Sequence, residues 1–179
     1  MAAIILVTGG TRSGKSLFAQ TLAEKLPAPH CFIATCQASD EEMAERVKKH
    51  QKERSIDIWN TVEEKIDLKN ALSQNVNFST YLVECVTLWV SNVMEHCHQL
   101  KNCSVEETLE VELARVITHA KHMEGTLIFV TNEVGMGIVP ENRLARQYRD
   151  HVGLCNRTIA THADEVILVS CGLPLYLKK

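Results

Sequence analysis

The sequence predicts a three-layer α/β fold on a mostly parallel sheet, closed by a short antiparallel strand at the carboxyl end. Three observations carry that prediction. Short apolar runs alternate with helix-patterned stretches, as in successive β-α-β units. A glycine-rich segment joins the first apolar run to the first helix. The chain of 179 residues, 45% hydrophobic and 23% charged, makes one domain whose core needs no disulfide or structural metal. No repeat, low-complexity tract or linker divides it, so residues 1–179 are read as a single domain.

Residues 4–8 form the first strand, and residues 15–26 the first helix, stopped by Pro27 and Pro29 because proline cannot continue a helix. A second strand is expected at 31–35. Ser39 and Glu42 have the spacing of a capping box, which starts a charged helix over 40–54 with acids first and bases last, as the helix dipole favours. Residues 62–72 read as a short helix. The apolar run 81–85 carries Glu84 near its end, and 88–98 reads as helical. Ser104 and Glu107 form a second capping box, after which Leu109, Leu113, Val116, Ile117 and Ala120 mark one helical face. Gly125 precedes a strand at 127–131. Pro140 suits a helix start, placing a long helix over 141–163. The last core strand is 166–170. Gly172 and Pro174 then turn the chain into a terminal strand, 175–178.

Lys plus Arg number 19 against 22 Asp plus Glu, a net charge of −3, which argues against nucleic acid and anionic membrane as partners. The apolar run 1–7 is too short to span a bilayer and lacks the basic start and cleavage signal of a secretory peptide. The 7 cysteines form no C-x-x-C pair, so reduced thiols in the cytoplasm are the expected state. His96, His98 and Cys103 match no common zinc spacing and read as a polar stretch between helices.

The strongest motif is Gly9, Gly10, Thr11, Arg12, Ser13, Gly14, Lys15 and Ser16, which fits G-x-x-x-x-G-K-[ST] between strand and helix. Glycines let backbone N–H groups curl around phosphate oxygens, and the helix N-terminus favours negative charge. Lys15 can reach the β and γ phosphates and the Ser16 hydroxyl can bind Mg²⁺. This places the fold in the P-loop NTPase type. Glu84, closing an apolar strand, reads equally as a Mg²⁺-holding acid or as a partly exposed strand end. No N-K-x-D guanine-recognition segment occurs, and the D-x-x-G at 150–153 follows a helical stretch instead of a strand. Residues 132–140, which follow a strand and hold two glycines, are a candidate active-site loop at the carboxyl edge of the sheet.

Arg46, His50 and Arg54 are spaced by four and share one helical face. By spacing alone the first reading is a solvated charged face. The other is two guanidiniums holding a polyphosphate against an imidazole nucleophile. Trp59 and Trp89 read as packing residues before they read as a platform for a flat ligand.

Several segments together carry a family resemblance: G-G-T-R-S-G-K-S (9–16), A-T-C-Q (34–37), R-V-K-K-H-Q-K-E-R (46–54), W-N-T-V-E (59–63), L-V-E-C-V-T-L-W-V-S-N (82–92), T-N-E-V-G-M-G-I-V-P (131–140), R-Q-Y-R-D-H-V-G (146–153), A-D-E-V-I-L-V (163–169) and G-L-P-L-Y-L-K (172–178). In this order, over nearly the whole chain, the sequence resembles the bifunctional adenosylcobinamide kinase / adenosylcobinamide-phosphate guanylyltransferase family of cobalamin synthesis. The resemblance implies that ATP or GTP phosphorylates adenosylcobinamide. It further implies that GMP passes from GTP, through a guanylyl-histidine, to give adenosylcobinamide-GDP and pyrophosphate. The guanylylated residue falls on His50. The nucleotide contacts fall on residues 9–16, on Ala34, Thr35 and Cys36, on Gln51, Lys52, Glu53 and Arg54, and on Glu63 and Glu84, with Ser16 and Glu84 toward Mg²⁺. It also implies a cytoplasmic homo-oligomer, a trimer, with no stable membrane insertion. Two other readings of the phosphate loop are a small-molecule kinase without guanylyl transfer and a nucleotide-dependent regulatory protein.

Overall fold

The computed structural model describes residues 1–36, 58–100 and 102–179. The helix expected over 40–54 lies outside the described residues.

Seven strands among the described residues form one sheet. They are β1 (Ala3–Gly9), β2 (His30–Ala34), β3 (Trp59–Glu63), β4 (Thr80–Glu84), β5 (Thr126–Val130), β6 (Glu165–Ser170) and β7 (Leu173–Lys178). Their order is β3-β2-β4-β5-β1-β6-β7; all pairs are parallel except β6 with β7. The α-helices among the described residues are α1 (Lys15–Ala23), α2 (Leu68–Gln74), α3 (Val86–Gln99), α4 (Val105–Ala120) and α5 (Arg143–His162). Both faces of the sheet are covered, as a parallel sheet requires. On one face α1 packs through Ala19 and Ala23 against Ile5, Val7, Ile128, Val130 and Ile167. On the other, α2 to α5 bury Leu72, Trp89, Val93, Leu113, Val116 and Ile159 against Ile4, Leu6, Tyr81, Val83 and Phe129.

The predicted strand–helix alternation is present, with local corrections. Residues 59–63 are strand, so the helix expected over 62–72 does not start at 62. Their side chains are mostly exposed because β3 is the sheet's edge, which blurs its period. The helix begins after Asp67, whose carboxylate accepts the Asn70 N–H at 2.9 Å. The long helix starts at Arg143, not near Pro140, because Asn142 caps it by accepting the Ala145 N–H at 3.0 Å. Ser104 caps its helix as the spacing predicts, its Oγ accepting the Glu107 N–H at 3.4 Å.

Cys97 and Cys103, expected as free thiols, are paired, with Cα atoms 5.1 Å apart. Leu100 ends α3 and Ser104 caps α4, and the short connection returns Cys103 to the last turn of α3. Trp59 and Trp89 are buried, as packing residues should be; Trp89 Nε1 donates to the Ile66 carbonyl at 2.8 Å and Trp59 Nε1 to Glu24 at 3.1 Å. No helix among the described residues is long and apolar enough to cross a membrane.

Candidate active site

In a parallel sheet the strand carboxyl ends share one edge, and ligands gather there. That edge holds the loop after β1, residues 34–36 after β2, Glu63 at the end of β3 and Glu84 at the end of β4. The register sharpens the grouping. Ala34 lies opposite both Glu63 and Glu84, Glu84 opposite Val130, and Val130 opposite Val7. Residues directly across a parallel sheet point to the same side. Val7, Val130 and Ala34 pack on the α1 side, so Glu63 and Glu84 face that side too.

The glycine-rich loop crosses from β1 to α1 on the same side. Gly14 precedes α1 at φ +91°, a conformation that suits glycine, and an added Cβ there would meet the Gly172 Cα at 3.1 Å. At Gly9 a Cβ would run into the Val169 carbonyl oxygen. The loop is braced by Ser13 N–H donating to the Gly10 carbonyl at 3.2 Å and by Gly172 N–H donating to the Ser13 carbonyl at 2.8 Å. The turn between β6 and β7 thus buttresses the loop, a support that depends on β6 lying beside β1 and has no local sequence signal. Lys15 Nζ donates to the Gly10 carbonyl at 3.3 Å, and the buried Ser13 Oγ has no hydrogen-bond partner among the described residues.

Glu84 and Cys85 are held by Thr35. Thr35 N–H donates to the Glu84 carbonyl at 3.1 Å, Thr35 Oγ1 donates to the Cys85 carbonyl at 2.9 Å and accepts the Cys85 N–H at 2.8 Å. Asn92 Nδ2 closes this knot on the Thr35 carbonyl at 2.8 Å. Thr35, fully buried, therefore spends its side chain on β4. The Cys85 thiol is raised above the usual range, first by burial and in part by the Glu84 charge. Hydrogen bonds from Thr87 and from the Leu88 backbone oppose the rise, as does the Lys15 charge. The loop lysine and the β4 carboxylate thus act on one point.

A second network links β5 to the phosphate loop. Glu133 N–H donates to the Gly9 carbonyl at 3.1 Å and Thr8 Oγ1 donates to Glu133 Oε1 at 2.5 Å. Asn156 Nδ2 donates to the Asn132 carbonyl at 3.1 Å and to Glu133 Oε1 at 3.4 Å, while Asn156 Oδ1 accepts from Thr131 Oγ1 at 2.6 Å. Residues 132–140 follow β5 as the expected loop, and the bonds that Thr8, Glu133 and Asn156 make there have no local sequence signal. His30 Nε2 donates at the α1 end, 3.0 Å from the Ala23 carbonyl and 3.2 Å from that of Leu26. Arg46, His50, Gln51, Lys52, Glu53 and Arg54 lie outside the described residues.

With this edge in view, the comparisons separate chemistry from fold. The family model described as cobinamide kinase / cobinamide phosphate guanyltransferase matches residues 5–177. The chain belongs to that family. It is 37% identical over 98% of its length to the bifunctional adenosylcobalamin biosynthesis protein CobU of Escherichia coli, and covers 99% of that protein. It is 38% identical to CobU of Salmonella typhimurium with the same coverage. It is 34% identical to CobP of Pseudomonas aeruginosa, over 97% of this chain and 96% of that one. The solved structures share only the fold. A KaiC-like protein of Pyrococcus horikoshii matches at TM-score 0.51 and 18% identity, over 93% of this chain and 71% of that one. An ATPase of a bacterial type III secretion system matches at TM-score 0.60 and 11% identity, over 97% and 56%. The protein is thus a cobinamide kinase and cobinamide-phosphate guanyltransferase on a P-loop NTPase-type fold.

Proposed function

We propose that a single phosphate loop serves both reactions and that His50 carries GMP between them. The observation that carries this is the meeting of one phosphate cradle with Glu63 and Glu84 on one side of one sheet edge.

In the kinase step Lys15 neutralises charge on the transferred phosphoryl group of ATP or GTP, and the adenosylcobinamide hydroxyl attacks the γ-phosphorus as the bond to the nucleoside diphosphate breaks. Ser16 at the start of α1 and Glu84 at the end of β4 are hard oxygen donors, the type that suits Mg²⁺, and the Glu84 carboxylate has no hydrogen-bond partner among the described residues. Mg²⁺ held there would supply further charge neutralisation at the phosphates.

In the transferase step the neutral His50 imidazole attacks the α-phosphorus of GTP and pyrophosphate leaves, with Arg46 and Arg54 flanking the polyphosphate. A phosphate oxygen of adenosylcobinamide phosphate then attacks the guanylyl phosphorus and the P–N bond breaks, giving adenosylcobinamide-GDP. Residues 9–16, 34–36 and 51–54, with Glu63, complete the nucleotide contacts. The protein acts in the cytoplasm as a homo-oligomer, a trimer.

The test is incubation of the protein with adenosylcobinamide, GTP and Mg²⁺, with products followed by mass. Wild type yields the phosphorylated and then the GDP-linked corrinoid. Lys15→Ala yields neither, and it also leaves adenosylcobinamide phosphate supplied directly with GTP unconverted; guanylyl transfer to that supplied phosphate in Lys15→Ala would establish a second nucleotide site and overturn the proposal.

A further inference from the structure

The loop after β5 carries a surface that the nucleotide chemistry does not use. From Val134 to Pro140 it contains no charged residue, in a chain that is 23% charged. Met136 is 77% exposed, Ile138 95% and Val139 58%. Single exposed apolar side chains are ordinary, but three within four residues beside an active site are a contact surface. Gly135 and Gly137 have no atom within 4 Å of an added Cβ, so nothing among the described residues closes over the backbone between them.

The surface is held at both ends. At its start, Glu133 is bound to the Gly9 carbonyl and to Thr8, and Asn156 holds the Asn132 carbonyl. At its end, Arg146 donates to the Pro140 carbonyl at 3.0 Å and to that of Glu141 at 2.6 Å. A surface so anchored presents its side chains without paying much ordering entropy on binding.

We propose that Met136, Ile138 and Val139 form the platform that receives the corrin macrocycle of the acceptor. The stretch from Val134 to Pro140 carries no cation to pair with phosphate, and its exposed side chains are apolar, so a nucleotide gains little from them. The acceptor carries a macrocycle much larger than a nucleotide base, with apolar ring atoms and methyl groups between its amide side chains, and its hydroxyl must reach the γ-phosphate above the phosphate loop. The loop begins on the carbonyl of Gly9, the first residue of that cradle, so an apolar ring resting on it is continuous with the site. The exposed apolar residues of β7, Leu173, Leu175 and Leu177, lie on the outer sheet edge beyond β6 and form a separate surface.

This inference rests on cobinamide being the acceptor of the kinase step, and the experiment tests the two separately. Turnover of adenosylcobinamide by wild type tests the acceptor; its absence removes both. Given that turnover, Ile138→Glu raises the KM for adenosylcobinamide about tenfold, as loss of one aliphatic contact requires, and Ile138→Ala raises it severalfold. The KM for ATP and the mass by light scattering stay at wild-type values. A cobinamide KM unchanged in both variants overturns the proposal. A lowered solution mass also overturns it, by assigning the loop to contact with a second copy of the chain.

Discussion

Replacing Asn156 with leucine tests the network that ties β5, the following loop and α5 together. Asn156 is 8% exposed and Thr131 is fully buried, so neither can turn to water. Leucine has similar size but makes none of the three bonds to Thr131 Oγ1, the Asn132 carbonyl and Glu133 Oε1. A buried polar group left unpaired costs about 1–3 kcal/mol. Stranding the Thr131 hydroxyl and weakening the Asn132 carbonyl's satisfaction costs about 3–4 kcal/mol in all, offset by about 1 kcal/mol from the more apolar side chain. The net of about 2–3 kcal/mol lowers the Tm by about 4–12 °C in a domain of this size. Circular dichroism on heating reads the shift. The double variant Thr131→Val, Asn156→Leu removes the stranded hydroxyl and recovers about half of the loss. A Tm drop below about 2 °C, or no recovery in the double variant, refutes the reasoning.

Further outcomes follow from particular residues. Gly125 sits at φ +95° and an added Cβ would run into the Ser79 carbonyl oxygen, so Gly125→Ala lowers the urea midpoint by the equivalent of about 2 kcal/mol or more; a midpoint equal to wild type contradicts it. Burial pushes the Cys31 thiol up to about 11 from 9.0 and the Cys155 thiol up to about 12, so neither reacts with Ellman's reagent at pH 8 in the folded protein, while the exposed Cys171 does. Because the folded value of Cys31 lies above the unfolded one, its contribution to stability is complete below pH 9 and is lost as the pH rises through 11. Cys31→Ala therefore flattens the fall in urea midpoint between pH 9 and 11, and an unchanged slope contradicts the burial argument.

What could be read from the sequence was what local chemistry dictates. The phosphate loop combines glycines, a lysine and flanking strand and helix within a few residues, and the structure folds it that way. Ser104 caps its helix as its spacing predicts. The misses share a different cause. β3 is an edge strand whose residues alternate weakly, and Asp67 and Asn142 outcompeted the signals that suggested earlier helix starts. Thr35 is a nucleotide contact by what the family resemblance implies, and its side chain holds Cys85 from across the sheet. Glu133, Asn156 and Gly172 support the phosphate loop only because β5 and β6 flank β1, an adjacency that strand order creates and sequence neighbours do not. The Cys97–Cys103 pair likewise depends on how two helix ends meet.

The central claim is that His50 carries the guanylyl group. Incubation with GTP labelled at the α-phosphate, without corrinoid, tests it directly. The account predicts a covalent label that maps to His50, is lost in mild acid, and is absent from His50→Ala while that variant still phosphorylates adenosylcobinamide. A His50→Ala protein that takes up the label as wild type does would contradict the account.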